Sequence, residues 1–266
     1  MRNAVSFAKP FHRNYRPAKP GPQFGYGSRA YIIDREYANN AAHYVRAYIL
    51  IQNDLQSIFE YLEPSDECRT AYSYKIHALL MRTCIEIEAN FRAILIENSF
   101  TMPKKRSLNM SDYRKVDVTH HLSSYEVMLP IWNGDPPILK PFEAWKSVRG
   151  MPNPNGFSLT WYQAYNASKH NRNDEFKKAN FENLVLAVAG LLVLISSQFR
   201  DEDFTAGMDH LTIGNDFQPM EAATGSLFRI KYPDDWAESE YYNFDWTTLK
   251  DEEERFGRIN FDAIPS

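Results

Sequence analysis

Tyr165-Asn166-Ala167-Ser168-Lys169-His170-Asn171-Arg172 gathers a phenol, two amides, two cations and an imidazole in one short stretch. An imidazole titrates near neutral pH and can give or take a proton. An ammonium or guanidinium binds phosphate oxygens, the guanidinium bidentately. The chemistry implied is binding of, or proton transfer on, a phosphate-bearing molecule, with His170 and Asn166 at the centre and Lys169 and Arg172 on the phosphate. On a helix, Gln163, Asn166 and His170 recur at steps of three and four and share about one sixth of the circumference. Trp161, Tyr165 and Ser168 fall on the opposite side, which predicts an aromatic face packed inward and an amide/imidazole face turned to a cleft or an interface. Cations also suit a helix C-terminus through its dipole alone, so a purely capping role stands beside the chemical one.

Other chemistries lack their residues. Cys68 and Cys84 are the only cysteines, without CxxC or Cys/His ligand spacing, so neither a disulfide framework nor a structural zinc site is expected. His120 and His121 have no acidic or cysteine partner at ligand spacing and read as a plain surface loop. Glu86 and Glu88 lie two apart, on different faces of a helix, and form no carboxylate pair. No phosphate-cradling loop, dinucleotide fingerprint, nucleophile elbow or HExxH occurs. Neither metal nor cofactor is expected.

The elements that must carry the cluster are helices. In 266 residues, 44% hydrophobic, Tyr44, Ala47, Tyr48, Ile51, Leu55, Ile58 and Phe59 form one stripe, predicting a helix over about 34–62 that Pro64 ends. Ser65 with Asp66 and Glu67 predicts the entry of a second, striped by Ile76, Leu80, Cys84, Ile87, Phe91 and Ile94, with Glu88 and Arg92 placed to pair. Asn155-Gly156 and Ser158 open a third over 158–170, and Asn180 caps a fourth to about Phe199. That helix is apolar all round from Leu184 to Ile195, a run too short for a bilayer span of roughly 20 residues, and is expected to be a buried core helix. Seven prolines between Pro103 and Pro154 mark 101–156 as an insertion with a short helix and strand. Residues 226–232 read as a strand.

A long helix such as 82–92, a helix ending in Asn-x-x-Lys-His and an apolar helix after it together resemble the HEPN superfamily of small helical-bundle proteins. The resemblance spans about 34–200 without most of the insertion. It implies a mainly α fold: an up-and-down bundle of four principal helices with a Pro-rich insertion and small irregular or β additions. Many members are metal-independent endoribonucleases of toxin, phage-defence or RNA-processing systems, in which an arginine, commonly followed by a polar residue, precedes a histidine by four to six positions and two copies dimerise. Tyr165-Asn166-x-x-x-His170 keeps that spacing but has tyrosine at the arginine position, and tyrosine supplies no permanent cation. The implied function is therefore RNA cleavage with Lys169 or Arg172 standing in, or binding of RNA, nucleotide or a protein partner without cleavage, in either case as a homodimer. Residues engaging the substrate would be Lys169, Arg172, Gln163 and Tyr165.

Charge adds an asymmetry. The net charge is −4, yet residues 1–33 contain no acid and six cations, and acids dominate after Asp234. Residues 1–33 therefore read as a basic extended arm and 201–266 as an extension packed on the body. With Phe7, Phe11 and Tyr15 among its cations, the arm suits either a phosphate backbone or, as the better reading, the acidic C-terminal segment. Distant cysteines and an N-terminus without an apolar core predict a cytoplasmic protein with no membrane segment.

Overall fold

The computed structural model describes residues 7–19, 26–202, 204 and 221–265. The chain is mainly helical, with five helices of more than two turns: α1 (Ala41–Phe59), α2 (Tyr74–Glu97), α3 (Met110–His120), α4 (Thr160–His170) and α6 (Phe181–Phe199). Two single-turn helices, α5 (Arg172–Glu175) and α7 (Trp246–Leu249), complete the α-helices among the described residues. Helix α6 packs against α2, α1 and α4, and α2 also meets α1, α3 and α4. Four short strands, β1 (Glu126–Met128), β2 (Ile138–Leu139), β3 (Glu221–Ala222) and β4 (Arg229–Lys231), form an antiparallel sheet in the order β2-β1-β4-β3.

The helix boundaries follow from where backbone groups find partners. Asn180 caps α6 as its position suggests, its Oδ1 accepting from Asn183 N at 3.0 Å. The segment before α2 supplies further partners: Phe181 N donates to Ala71 O and Glu182 N to Arg69 O. Those carbonyls satisfy N–H groups that a helix start leaves orphaned. Because the carbonyls of Arg69 and Ala71 are committed to α6 and Tyr72 bridges to Asn180, the second helix does not begin at Ser65; Asp66–Cys68 is an isolated 3-10 turn, and α2 starts after Ser73, whose Oγ accepts from Ile76 N. Similarly, α1 starts at Ala41 rather than near 34, because Asn40 lies at φ 56° and Tyr37 is turned inward to donate its hydroxyl to Gln198 O. The stripe Ile76, Leu80, Cys84, Ile87, Phe91 and Ile94 is buried throughout.

Helix α6 is nearly all core, from Leu184 to Phe199. At 19 residues it is the one described helix long and apolar enough to cross a membrane, and 83% of its apolar window is buried inside the protein.

In the arm, residues 7–19 lie against the C-terminal segment. Phe11 bridges to Gly257 and Ala18 to Tyr242, and Lys9 pairs with Glu252 at 2.8 Å. Its two arginines are held internally: Arg13 is fully buried and Arg16 is 5% exposed. Arg13 Nε stands 2.7 Å from Glu97 as an ion pair outside hydrogen-bond alignment, Nη1 donates to Gln198 Oε1 at 2.9 Å, and the guanidinium covers the Tyr44 ring. Described residues 7–19 therefore cannot run along a phosphate backbone with Arg13 and Arg16. Removing one member of a buried ion pair leaves the other charge uncompensated. Arg13→Ala is expected to cost roughly 3–5 kcal/mol of unfolding free energy, measured by urea denaturation of the full chain.

Candidate functional site

Helix α4 forms because its apolar and small residues fall on one side. Trp161, Tyr162, Ala164, Tyr165 and Ser168 are buried. Trp161 Nε1 donates to Pro141 O at 2.9 Å, and Ser168 Oγ bonds back to Ala164 O at 2.7 Å. The opposite side holds Gln163 and His170, both exposed, and half-buried Asn166. The three share a face, as their spacing predicts, but that face opens to solvent, not to a cleft within the chain. Among the described residues none of the three side chains has a hydrogen-bond or ion-pair partner in the chain. His170 thus has no group to hold its tautomer or direction, which a positioned acid or base requires.

The remaining candidates are drawn elsewhere. Tyr165, 2% exposed, accepts a hydrogen bond from Lys169 Nζ at 3.0 Å, and that ammonium also stands 5.0 Å from the ring centroid. The hydrogen bond raises the Lys169 pKa, and burial raises that of Tyr165. Arg172 belongs to the next turn, where its guanidinium faces Tyr74 of α2 at 6.0 Å. The six residues therefore separate into an outward face, an inward phenol–ammonium pair and an arginine on an aromatic ring.

Beside Tyr165, helix α4 meets α2. Tyr162 donates its hydroxyl to Glu88 Oε1 at 2.9 Å, and the Tyr113 ring stacks on Phe91 at 4.8 Å. Glu88 therefore does not form the expected pair with Arg92, because a buried phenol that must place its O–H takes the carboxylate first. A cavity of about 510 Å³ opens beside it, lined by Glu88, Arg92, Met102, Arg106 and Tyr113. Burial, then the charge of Glu88, pushes the Tyr113 and Tyr162 phenols up, so they hold their protons at neutral pH. Arg106 is spent on a bidentate bond to Asp112.

The most connected titratable cluster lies at the end of α3, and it corrects the reading of His120-His121 as a surface loop. Both histidines are buried, 0% and 4% exposed. His120 bonds Arg13 O at 2.8 Å through Nε2 and Thr119 through Nδ1; burial holds its pKa down to about 3, leaving it neutral. His121 sits at φ 52° and stacks on Trp236 at 3.8 Å. Its Nδ1 faces Asp235 at 3.0 Å and its Nε2 faces Glu240 at 3.3 Å. Arg149 Nη1 lies 3.1 Å from the same Nδ1, but one nitrogen cannot both donate to Asp235 and accept from Arg149. Arg149 Nη1 donates to Asp235 Oδ2 at 2.9 Å. Arg149 also reaches Asp117, Ser123 and Ser124. Ser124 donates to Asp235, not to histidine, so Ser124 and His121 form no nucleophile–base pair. These contacts join α3, the insertion and the C-terminal segment. The signal available in the sequence was the charge match between the histidine pair and the acidic Asp234-Asp235 region, but the distance along the chain concealed it.

No group of three His, Cys, Asp or Glu among the described residues is placed to hold a metal ion. The chain matches no known family model, no curated protein and no solved structure.

Burial alone would raise the Asp235 carboxyl, but hydrogen bonds from His121 and Ser124 and the charges of His121 and Arg149 override it and hold it well below the usual range. Glu240 is lowered in the same sense. A carboxylate depressed in the folded state contributes stability above its unfolded pKa of about 3.9–4.3 and loses it as pH falls through the folded value. Residues 232–242 should stay protected from hydrogen exchange at pH 5 and open only below about pH 4. In Asp235→Asn they should open at neutral pH, with exchange corrected for its intrinsic rate.

Proposed function

We propose that this chain is an RNA-binding helical protein that holds RNA without cleaving it. The observation that carries this reading is the set of exposed cations from the end of α4 to the turn after α5. Lys169, Arg172 and Lys177 are exposed, and none has a carboxylate partner among the described residues. A helix dipole accounts for Lys169 at the end of α4. It does not account for Arg172, which opens a new turn where a cation gains nothing from the backbone. Exposed cations without a carboxylate partner, set beside exposed aromatic rings, suit a polyanion that also carries ring systems. The locked Tyr165, standing where an arginine would serve a cleaving HEPN protein, favours binding over turnover. A HEPN-like arrangement, with α1, α2, α4 and α6 as its four principal helices, is part of this proposal, as is a homodimer.

A second reading has one observation in its favour. Gln163, Asn166 and His170 face solvent together without intrachain partners, the situation of a half-site completed by another copy of the chain. On that reading the protein is a metal-independent endoribonuclease with His170 as acid or base.

Two measurements separate these. In fluorescence anisotropy with labelled RNA, Lys169→Ala/Arg172→Ala should bind about tenfold more weakly, with a salt slope shallower by roughly 1.4, since each lost phosphate contact removes about 0.7 for a single strand. Unchanged affinity and slope would remove these cations from the interface. In chelator, wild type and His170→Ala should leave RNA equally intact; cleavage by wild type that His170→Ala abolishes would establish the second reading.

A further inference from the structure

We infer that the end of the bundle made by the α1–α2 loop, the first turn of α2 and α5 is a stacking platform for unpaired RNA bases. This deepens the RNA-binding reading and rests on it. Tyr61, Tyr72 and Tyr74 are the aromatic residues prominent among the exposed large hydrophobics, at 81%, 45% and 71% exposure, and they converge on this end. A core or a cap explains none of them. Each of the two most exposed carries a cation on its ring: Lys75 Nζ lies 5.4 Å from the Tyr61 centroid and the Arg172 guanidinium 6.0 Å from that of Tyr74. Phe176 ties the group together, 4.9 Å from Tyr74, 5.7 Å from Tyr72 and 5.5 Å from the His77 ring beneath it.

Between Tyr61 and Tyr72 opens an apolar cleft of about 450 Å³, walled by Leu62, Ile76 and the Lys75 stem. It is wide enough for a planar base and has an ammonium at its edge. Ring faces alternating with cations match the alternation of base and phosphate along a single strand. A duplex keeps its base faces stacked on one another and offers none to the tyrosines. Two nearby carboxylates are neutralised within the chain, Glu175 by Lys178 and Asp66 by Arg69, while Asp174 keeps its charge and accepts from the amides of Asn171 and Asn173. Glu60 and Glu63 flank Tyr61 in sequence, so the phosphates belong on the Lys75 and Arg172 side of the rings. Arg172 is then shared between the platform and the cation cluster at the end of α4, which makes the two one track.

The test uses the full chain and labelled single-stranded RNA of mixed sequence, with a perfect hairpin of the same length as comparison. Wild type should prefer the single strand. Tyr61→Ala and Tyr74→Ala should each weaken it about tenfold, within the range stacking losses span, while Tyr74→Phe, which keeps the ring, should retain affinity. Exposed side chains leave the fold intact, checked by equal melting temperatures. Single-strand binding unaffected by either alanine, or a hairpin bound as tightly, would overturn the platform and leave RNA binding standing. Absence of binding to every RNA at low salt would overturn both, and would leave the tyrosines to a protein partner.

Discussion

Helix α6 presents apolar residues around almost its whole circumference, so every side of it has to be covered by something else in the chain. Burial of apolar surface stabilises at roughly 25 cal/mol per Å², and a helix of this kind has no amphipathic solution that leaves one face wet. Helices α1, α2 and α4 cover its length, while Pro141, Phe142 and Trp161 close in beside Gly190. Its C-terminal turn is polar instead, and there the N-terminal arm takes over: Tyr15 N donates to Ser197 O, and Gln198 is bonded by Arg13 and Tyr37. The order of the fold follows from covering one helix completely.

That coverage brings charged groups into the interior, and the chain handles them in two ways. Arg13 is paired and capped by an aromatic ring, and His120 is kept neutral by burial. Around His121, by contrast, charge is retained and balanced among Asp235, Glu240, Arg149 and Asp117. A buried polar network is stable only when every member is satisfied. This one joins segments far apart in sequence, which gives it an architectural role rather than a catalytic one.

Helix α4 shows how packing sorts residues that composition leaves together. Tyr165 and Lys169 turn to the α2 side and satisfy one another, His170 and Asn166 stay outward, and Arg172 passes to the next turn and onto Tyr74. A cluster compact in sequence is thereby divided, and its cations end beside tyrosines whose own positions in the chain carry no motif.

Periodicity by itself determined the helical character, the buried stripe of α2, the all-apolar α6 with its Asn180 cap, and the shared face of Gln163, Asn166 and His170, because each depends on contacts three or four residues apart. A short helix was expected within 101–156, but the burial of Asp112, Arg114, Lys115 and Asp117 in α3 was illegible, because no local pattern marks charges whose partners lie elsewhere. Only the tertiary structure decided that Glu88 serves Tyr162 rather than Arg92, that the histidine pair is interior, and that Tyr61, Tyr72, Tyr74 and Arg172 meet at one end. Those outcomes depend on which distant groups compete for the same donor, acceptor or ring face, and such competition exists only after the chain has closed on itself.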